Sequence, residues 1–189
     1  MGRAKRVADL FAGIGTFTFA LAGSAEVDAF EQDEAAIAAL GQAARATPKL
    51  RPVRTFSRDL FRAPLSAREL ARYDAVVLDP PRSGARSQAE ALAASKVPKV
   101  VMVSCNPGTC ARDLRILVDG GYRITRVVPV DQFLFSPHIE LVAAARASRV
   151  GKAKRAHLSR WATCRCPPLR TCRPGKLADQ CAWPQAGAT

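Results

Sequence analysis

Strand-like and helix-like segments alternate along the first 120 residues, and this alternation restricts the fold more than any single motif. Residues 6–11, 27–31, 52–57, 75–78 and 99–103 are short, largely apolar runs closed by turn-forming residues, as buried strands are. Helical spacing or capping residues mark 17–22, 33–46, 66–71, 87–94 and 108–118 between and after them. Strands that take turns with helices belong to a mostly parallel sheet. Residues 122–130 and 139–145 then follow as two strands with no helix between them, which predicts one antiparallel hairpin at the end of an α/β domain.

In open α/β sheets, ligands bind outside the carboxyl ends of the strands. The chemically distinctive residues fall at those ends. Gly13 and Gly15 follow the first strand, Glu31 closes the second, Asp59 follows the third, Asp79 the fourth and Cys105 the fifth. One site along one edge of the sheet is therefore predicted. Cys105 lies in Ser104-Cys105-Asn106-Pro107, directly after the apolar run 100–103. Pro107 suits a first helical position, so Cys105 stands just before a helix N-terminus, where a thiolate is stabilised. Position alone also fits a small buried core cysteine.

The glycine loop allows a ligand to approach the backbone. Thr18 occupies the place of the third small residue in the dinucleotide fingerprint, which disfavours NAD and leaves another nucleoside-bearing cofactor open. Glu31, 16 residues after Gly15, is near the spacing at which an acid bonds a ribose, although a solvated strand-end glutamate also fits. Pro80 and Pro81 stiffen the loop that holds Asp79 at the rim.

The 189 residues suit one domain. A net charge of +13 points to a polyanionic partner, but residues 147–189 carry 9 Lys/Arg against 1 Asp, so residues 1–146 are only mildly basic. The apolar run near Val7 is interrupted by Asp9, unlike a signal peptide, and no stretch approaches a membrane span. A cytoplasmic location with reduced thiols is expected. Residues 147–189 lack apolar periodicity and are expected to be a basic, disordered tail. Its Cys164, Cys166, Cys172 and Cys181 match no usual zinc spacing, so no metal is expected. The Arg, Pro, Cys and Trp mixture there is also what a shifted reading frame in GC-rich DNA produces.

Four blocks carry a family resemblance: DLFAGIGTF (9–17), LDPPRSG (78–84), VSCNPGTCARDL (103–114) and VDQFLFSPHIELV (130–142). Together they resemble the RNA uracil-5-methyltransferases, class I S-adenosylmethionine enzymes that act on tRNA or ribosomal RNA. The resemblance covers roughly residues 5–146. It implies a Rossmann-like, mostly parallel seven-stranded sheet, S-adenosyl-L-methionine as cofactor, RNA as partner, and a monomer with no membrane or metal. Cys105 matches the family's nucleophile, and Glu140, within His138-Ile139-Glu140, its general base. The implied cofactor pocket comprises Phe11, Gly13, Gly15, Thr16, Glu31, Asp59 and Asp79, with Glu31 on the ribose and Asp59 near the adenine. Thr16 replaces the family's common Asn, and Cys110 stands where an apolar residue is usual.

The implied chemistry requires both groups. Carbon 5 of uracil is a poor nucleophile until a thiolate adds to carbon 6, and the carbon 5 proton must then leave. Relatives carry a long upstream region, often an RNA-binding β-barrel followed by a segment with a cofactor-touching Gln, so a catalytic core without its RNA-gripping part is expected. Two other readings compete. An amino-methyltransferase acting on adenine or cytosine follows its Pro-Pro with an aromatic, whereas Arg82 stands here. An inactive remnant or an RNA-binding module would keep the fold without the reaction.

Overall fold

The computed structural model describes residues 4–131, 136 and 138–148. The expected tail from residue 149 onward, with its four cysteines, and most of the 132–137 connection lie outside the described residues.

Each expected segment forms, with ends moved by a residue or two. The order is β1 (Arg6–Leu10), α1 (Thr16–Ala22), β2 (Glu26–Glu31), α2 (Glu34–Ala46), β3 (Val53–Ser57), α3 (Ala67–Leu70), β4 (Ala75–Leu78), α4 (Arg86–Ala94), β5 (Lys99–Ser104), α5 (Pro107–Asp119), β6 (Tyr122–Val130) and β7 (Glu140–Ala147). Local chemistry sets the boundaries. Asp33 caps α2 by accepting from the Ala35 and Ala36 N–H groups. Ser66 and Glu69 form a reciprocal capping box on the single turn of α3. Asn106 caps α5, with Pro107 at its first position.

The strands form one sheet in the order β3-β2-β1-β4-β5-β7-β6. The first five run parallel, and β7 inserts between β5 and β6, antiparallel to both. The expected hairpin is therefore present, with its second strand on the inside. Alternation along the strands makes two apolar layers. Ala8, Leu10, Val76, Leu78, Val100 and Met102 pack against the face carrying Leu70, Leu92, Leu114 and Leu117 of α3, α4 and α5. Val7, Ala75 and Val77 meet Phe17 and Leu21 of α1 on the opposite face, and Ala29 meets Ile37 and Leu40 of α2. β4 is buried at all four positions because both faces are covered.

Strand order reverses between β1 and β4, the switch point at which the loops leaving two neighbouring strands part and open a crevice. The backbone at that point is fixed by Ala12 N–H donating to the Phe30 carbonyl at 3.0 Å and Asp79 N–H donating to the Leu10 carbonyl at 3.2 Å. Among the described residues, no helix is long and apolar enough to cross a membrane.

Candidate active site

The loop after β1 turns sharply. Phe11, Gly13 and Gly15 all have left-handed φ angles, 62°, 54° and 102°. For Phe11 that conformation is strained, and such strain concentrates where a ligand is held. The two glycines serve different ends. A Cβ on Gly15 would stand 2.8 Å from the Phe19 ring and 3.0 Å from Leu40, so packing requires this glycine. A Cβ on Gly13 would meet nothing within 4 Å. Gly13 N–H instead donates to Glu31 Oε2 at 3.0 Å, while Glu31 Oε1 accepts from the Gln32 and Asp33 N–H groups. The carboxylate at the end of β2 thus splints the glycine loop.

Cys105 sits in a tight turn between strand and helix. Ser104 Oγ accepts from the Asn106 N–H and donates to the Asn106 carbonyl, both at 3.2 Å. The Asn106 side chain accepts from the Gly108 and Thr109 N–H groups. Its amide and the Thr109 hydroxyl both donate to the Arg82 carbonyl, at 3.2 and 3.1 Å. One turn further along α5, Asp113 is fully buried. It accepts from the Ala85 N–H at 2.7 Å and from Arg112 Nε at 2.8 Å, and Arg112 Nη2 donates to the Ser83 carbonyl. The start of α5 therefore clamps the 82–85 backbone to the turn that carries Cys105.

A third segment joins these two. Arg82 Nη2 donates to His138 Nδ1 at 3.0 Å. Glu140 follows as the first residue of β7, half-buried and paired in register with Val130 of β6.

These segments surround a cleft of about 620 Å³. Phe11, Glu31, Asp79, Cys105 and Glu140 all line it, together with Phe17, Pro80, Pro81 and Val103. Three carboxylates face the cavity, and among the described residues no lysine or arginine lines it, although the whole chain carries +13. Burial, and after it the charge of Glu140, pushes the Asp79 carboxyl above its ordinary range. Asp9, fully buried in β1, is pushed up to about 6 by burial, against the lowering effect of a 2.5 Å hydrogen bond from the Thr18 hydroxyl; Asp79 adds to the rise. Asp9 Oδ1 has no hydrogen-bond partner. The three lining carboxylates make the cavity electrostatically more favourable to a cation than to an anion.

The structure brings together five of the nine residues expected at the site, and Gly13 reaches the cleft through Glu31. Gly15, Thr16 and Asp59 do not line it. Thr16 is the exposed first residue of α1. The Asp59 carboxylate accepts from the Phe61 and Arg62 N–H groups and so shapes the loop after β3. Sequence reasoning missed Asp9, Thr18, Arg112 and Asp113. One signal for Asp113 was available: it shares a helical face with Cys110, Leu114 and Leu117, where a charge needs a buried partner.

Comparison with known proteins places this geometry. The tRNA (uracil-5-)-methyltransferase family model matches residues 2–145. The chain belongs to that family. An uncharacterized RNA methyltransferase of Agrobacterium fabrum is 59% identical over 143 residues, which make up 76% of this chain and 34% of that relative. The 23S rRNA (uracil(1939)-C(5))-methyltransferase RlmD of Chromohalobacter salexigens is 42% identical over 137 residues, 72% of this chain and 28% of that protein. The chain thus spans about a third of the length of the curated relatives it matches. Among solved structures, the Pyrococcus abyssi tRNA (uracil-54, C5)-methyltransferase in complex with S-adenosyl-L-homocysteine superposes with a TM-score of 0.60 at 32% identity. The match covers 75% of this chain and 34% of that one. The N-methyltransferase NodS of Bradyrhizobium japonicum reaches a TM-score of 0.62 at 16% identity over 77% of this chain and 79% of that one, a likeness of fold alone. The expected Rossmann-like class I methyltransferase fold is the one observed.

Proposed function

We propose that residues 1–146 form the catalytic domain of an S-adenosylmethionine-dependent methyltransferase that modifies carbon 5 of a uridine in ribosomal or transfer RNA. One observation carries this reading: Cys105 and Glu140 line the same cleft as Glu31 and Asp79, in a cavity where no described residue adds a basic side chain. The donor set fits the cofactor. A sulfonium and an ammonium suit a site ringed by carboxylates, while Phe11, Phe17 and Pro80 offer apolar surface to an adenosine. When bound, S-adenosylmethionine would supply the electrophilic methyl group that carbon 5 accepts, the electron pair of the broken sulfur–methyl bond staying on sulfur so that S-adenosylhomocysteine is the leaving group.

The chain's own residues do the rest. The Cys105 thiolate adds to carbon 6 of the uracil ring, forming an S–C bond and placing the displaced electron pair on an enolate, so that carbon 5 becomes nucleophilic. Glu140 then takes the proton from the methylated carbon 5. The electrons of that C–H bond re-form the ring double bond and expel the thiolate. Asp79 and Glu31 orient and hold, since productive geometry needs reacting atoms about 3–3.5 Å apart. A uridine must leave its stack to enter such a pocket.

Release of tritium from RNA labelled at uracil carbon 5 tests the reading, because only this route breaks that C–H bond. The wild-type chain with S-adenosylmethionine is expected to release label from a 23S rRNA or a tRNA transcript, and Cys105→Ala from neither. Methylation without release would assign the chain to another base chemistry. Absence of S-adenosylmethionine binding in calorimetry would support an RNA-binding module or an inactive remnant.

A further inference from the structure

A second, smaller cavity of about 180 Å³ opens next to the cleft. Phe61, Ser83, Gly84, Arg86 and Arg112 are among its walls, and among the described residues no carboxylate lines it. The two cavities share structure. The Phe11 ring in the cleft wall packs on Phe61 with 5.4 Å between centroids. The loop after β4 gives Asp79, Pro80 and Pro81 to the cleft and Ser83 and Gly84 to the smaller groove. Their charges are opposite.

Phe61 is 42% exposed, unusual for a ring of its size. The side chains of Arg62, its neighbour in sequence, and of Arg86 are 90% and 69% exposed. Their partners are Asp59 at 3.8 Å and Glu90 at 3.1 Å. Surface pairs of that kind hold little energy, so either guanidinium can turn to a phosphate. Arg112 is held by Asp113 and the Ser83 carbonyl and serves as wall. Gly84 completes the floor at φ +76°, where a Cβ would stand 2.5 Å from both Asp113 Oδ2 and Arg112 Nη2. A groove with its backbone already fixed gives up little freedom when filled.

An exposed aromatic ring among guanidiniums is the combination that holds single-stranded nucleic acid, with bases stacking on the ring and cations tracking the phosphates. We infer that this groove is a subsite for an unpaired nucleotide flanking the target uridine. Its base stacks on Phe61, and its phosphate is held by Arg86 and Arg62. The inference rests on the reading of the cleft as a uridine site, and it gives this domain an RNA contact of its own.

The test measures binding of a fluorescein-labelled oligouridylate nonamer to the full chain by anisotropy, with S-adenosylmethionine affinity followed separately by calorimetry. Phe61→Leu keeps an apolar contact with Phe11 but loses the π-face. It is expected to weaken nonamer binding at least about fivefold and to leave S-adenosylmethionine affinity unchanged. Arg86→Gln is expected to make the slope of log affinity against log salt shallower by about 0.7, the value for one phosphate contact on a single strand. Arg45→Gln, on the opposite face of the sheet, is expected to leave both measurements as in wild type. Unchanged nonamer binding in Phe61→Leu overturns the subsite and leaves the arginines to an acidic peptide. A parallel loss of S-adenosylmethionine affinity assigns Phe61 to the cofactor pocket and also overturns it, as does a wild-type chain that does not bind the nonamer. If Phe61→Leu weakens binding while wild type releases no tritium, the groove's hold on a single-stranded nucleotide stands, and the uridine reading falls together with the flanking role. If wild type releases tritium and Phe61→Leu does so with unchanged KM, the reverse holds.

Discussion

The two walls of the cleft are held together differently. On the glycine-loop side the side-chain hydrogen bonds reach 18 residues at most: Asp9 to Thr18, Gly13 to Glu31, and Glu31 to the two N–H groups that follow it. On the Cys105 side the ties that join one segment to another are long. Arg82 meets Thr109 across 27 residues, Ala85 meets Asp113 across 28, and Arg82 meets His138 across 56. The first wall is a preformed turn that carries strain, in the left-handed Phe11 and in an Asp9 carboxyl with one unbonded oxygen. The second is an assembled wall, in which three distant segments become neighbours only when the sheet closes. The first wall carries the raised Asp9 carboxyl, whereas the second sets the spacing between Cys105 and Glu140, the proposed nucleophile and base.

Breaking the assembled wall at its chemistry should have the largest effect. Glu140→Gln is expected to lower turnover about 10²–10⁴-fold while leaving S-adenosylmethionine affinity within a few-fold, as steady-state kinetics and calorimetry would show. The strain in the preformed wall comes next. The Asp9 carboxyl has a pKa of about 6 in the folded chain, against about 3.9 when unfolded. Between those values the folded chain holds a proton that the unfolded chain has lost. This group's contribution is therefore most favourable below pH 4, and about 3 kcal/mol of it disappears as pH rises to and through 6. Asp9→Asn should stabilise the protein at pH 7.5 by up to that amount, and by much less at pH 4.5, in urea unfolding. Equal effects at both pH values would show that the carboxyl is not shifted.

Asp113→Ala should act on the assembled wall alone. The Ala85 N–H loses its buried acceptor, at a cost of about 1–3 kcal/mol in stability. Turnover measured below the unfolding range is expected to fall further than S-adenosylmethionine affinity, because the loop carrying Asp79 and Arg82 loosens against Cys105. Smallest of all is the pH dependence of cofactor binding. As Asp9 takes up its proton near pH 6, with the raised Asp79 carboxyl acting in the same direction, S-adenosylmethionine affinity should decline on acidification. A flat profile from pH 5 to 8 would remove the carboxylates from cation binding.

This difference in range also explains what could be read in advance. The alternating apolar runs marked the strands most clearly where both faces are buried, as in β4, while β3 and β6, largely exposed, were legible from their β-branched residues and their place in the alternation. Gathering of the strand ends put Glu31, Asp79 and Cys105 on one rim. The inner place of β7 was not legible, since pairing order beyond a hairpin depends on which edge the last strand reaches. Asp113 and Arg112 look like ordinary surface charges of a helix, and only the packed loop after β4 shows what they hold. Nor could the sign of the cleft be read from a chain of net +13. The acids that set it come from the ends of separate strands, and among the described residues no basic side chain joins them.

The most direct measurement asks whether Cys105 and Glu140 act on the same pyrimidine. Glu140→Gln, incubated with S-adenosylmethionine and a uridine-containing transcript, should accumulate a covalent protein–RNA species that survives a denaturing gel. The double substitution Cys105→Ala with Glu140→Gln should give none. A folded Glu140→Gln protein that binds both ligands yet forms no such species, or an adduct that persists without the Cys105 thiol, would contradict the shared site.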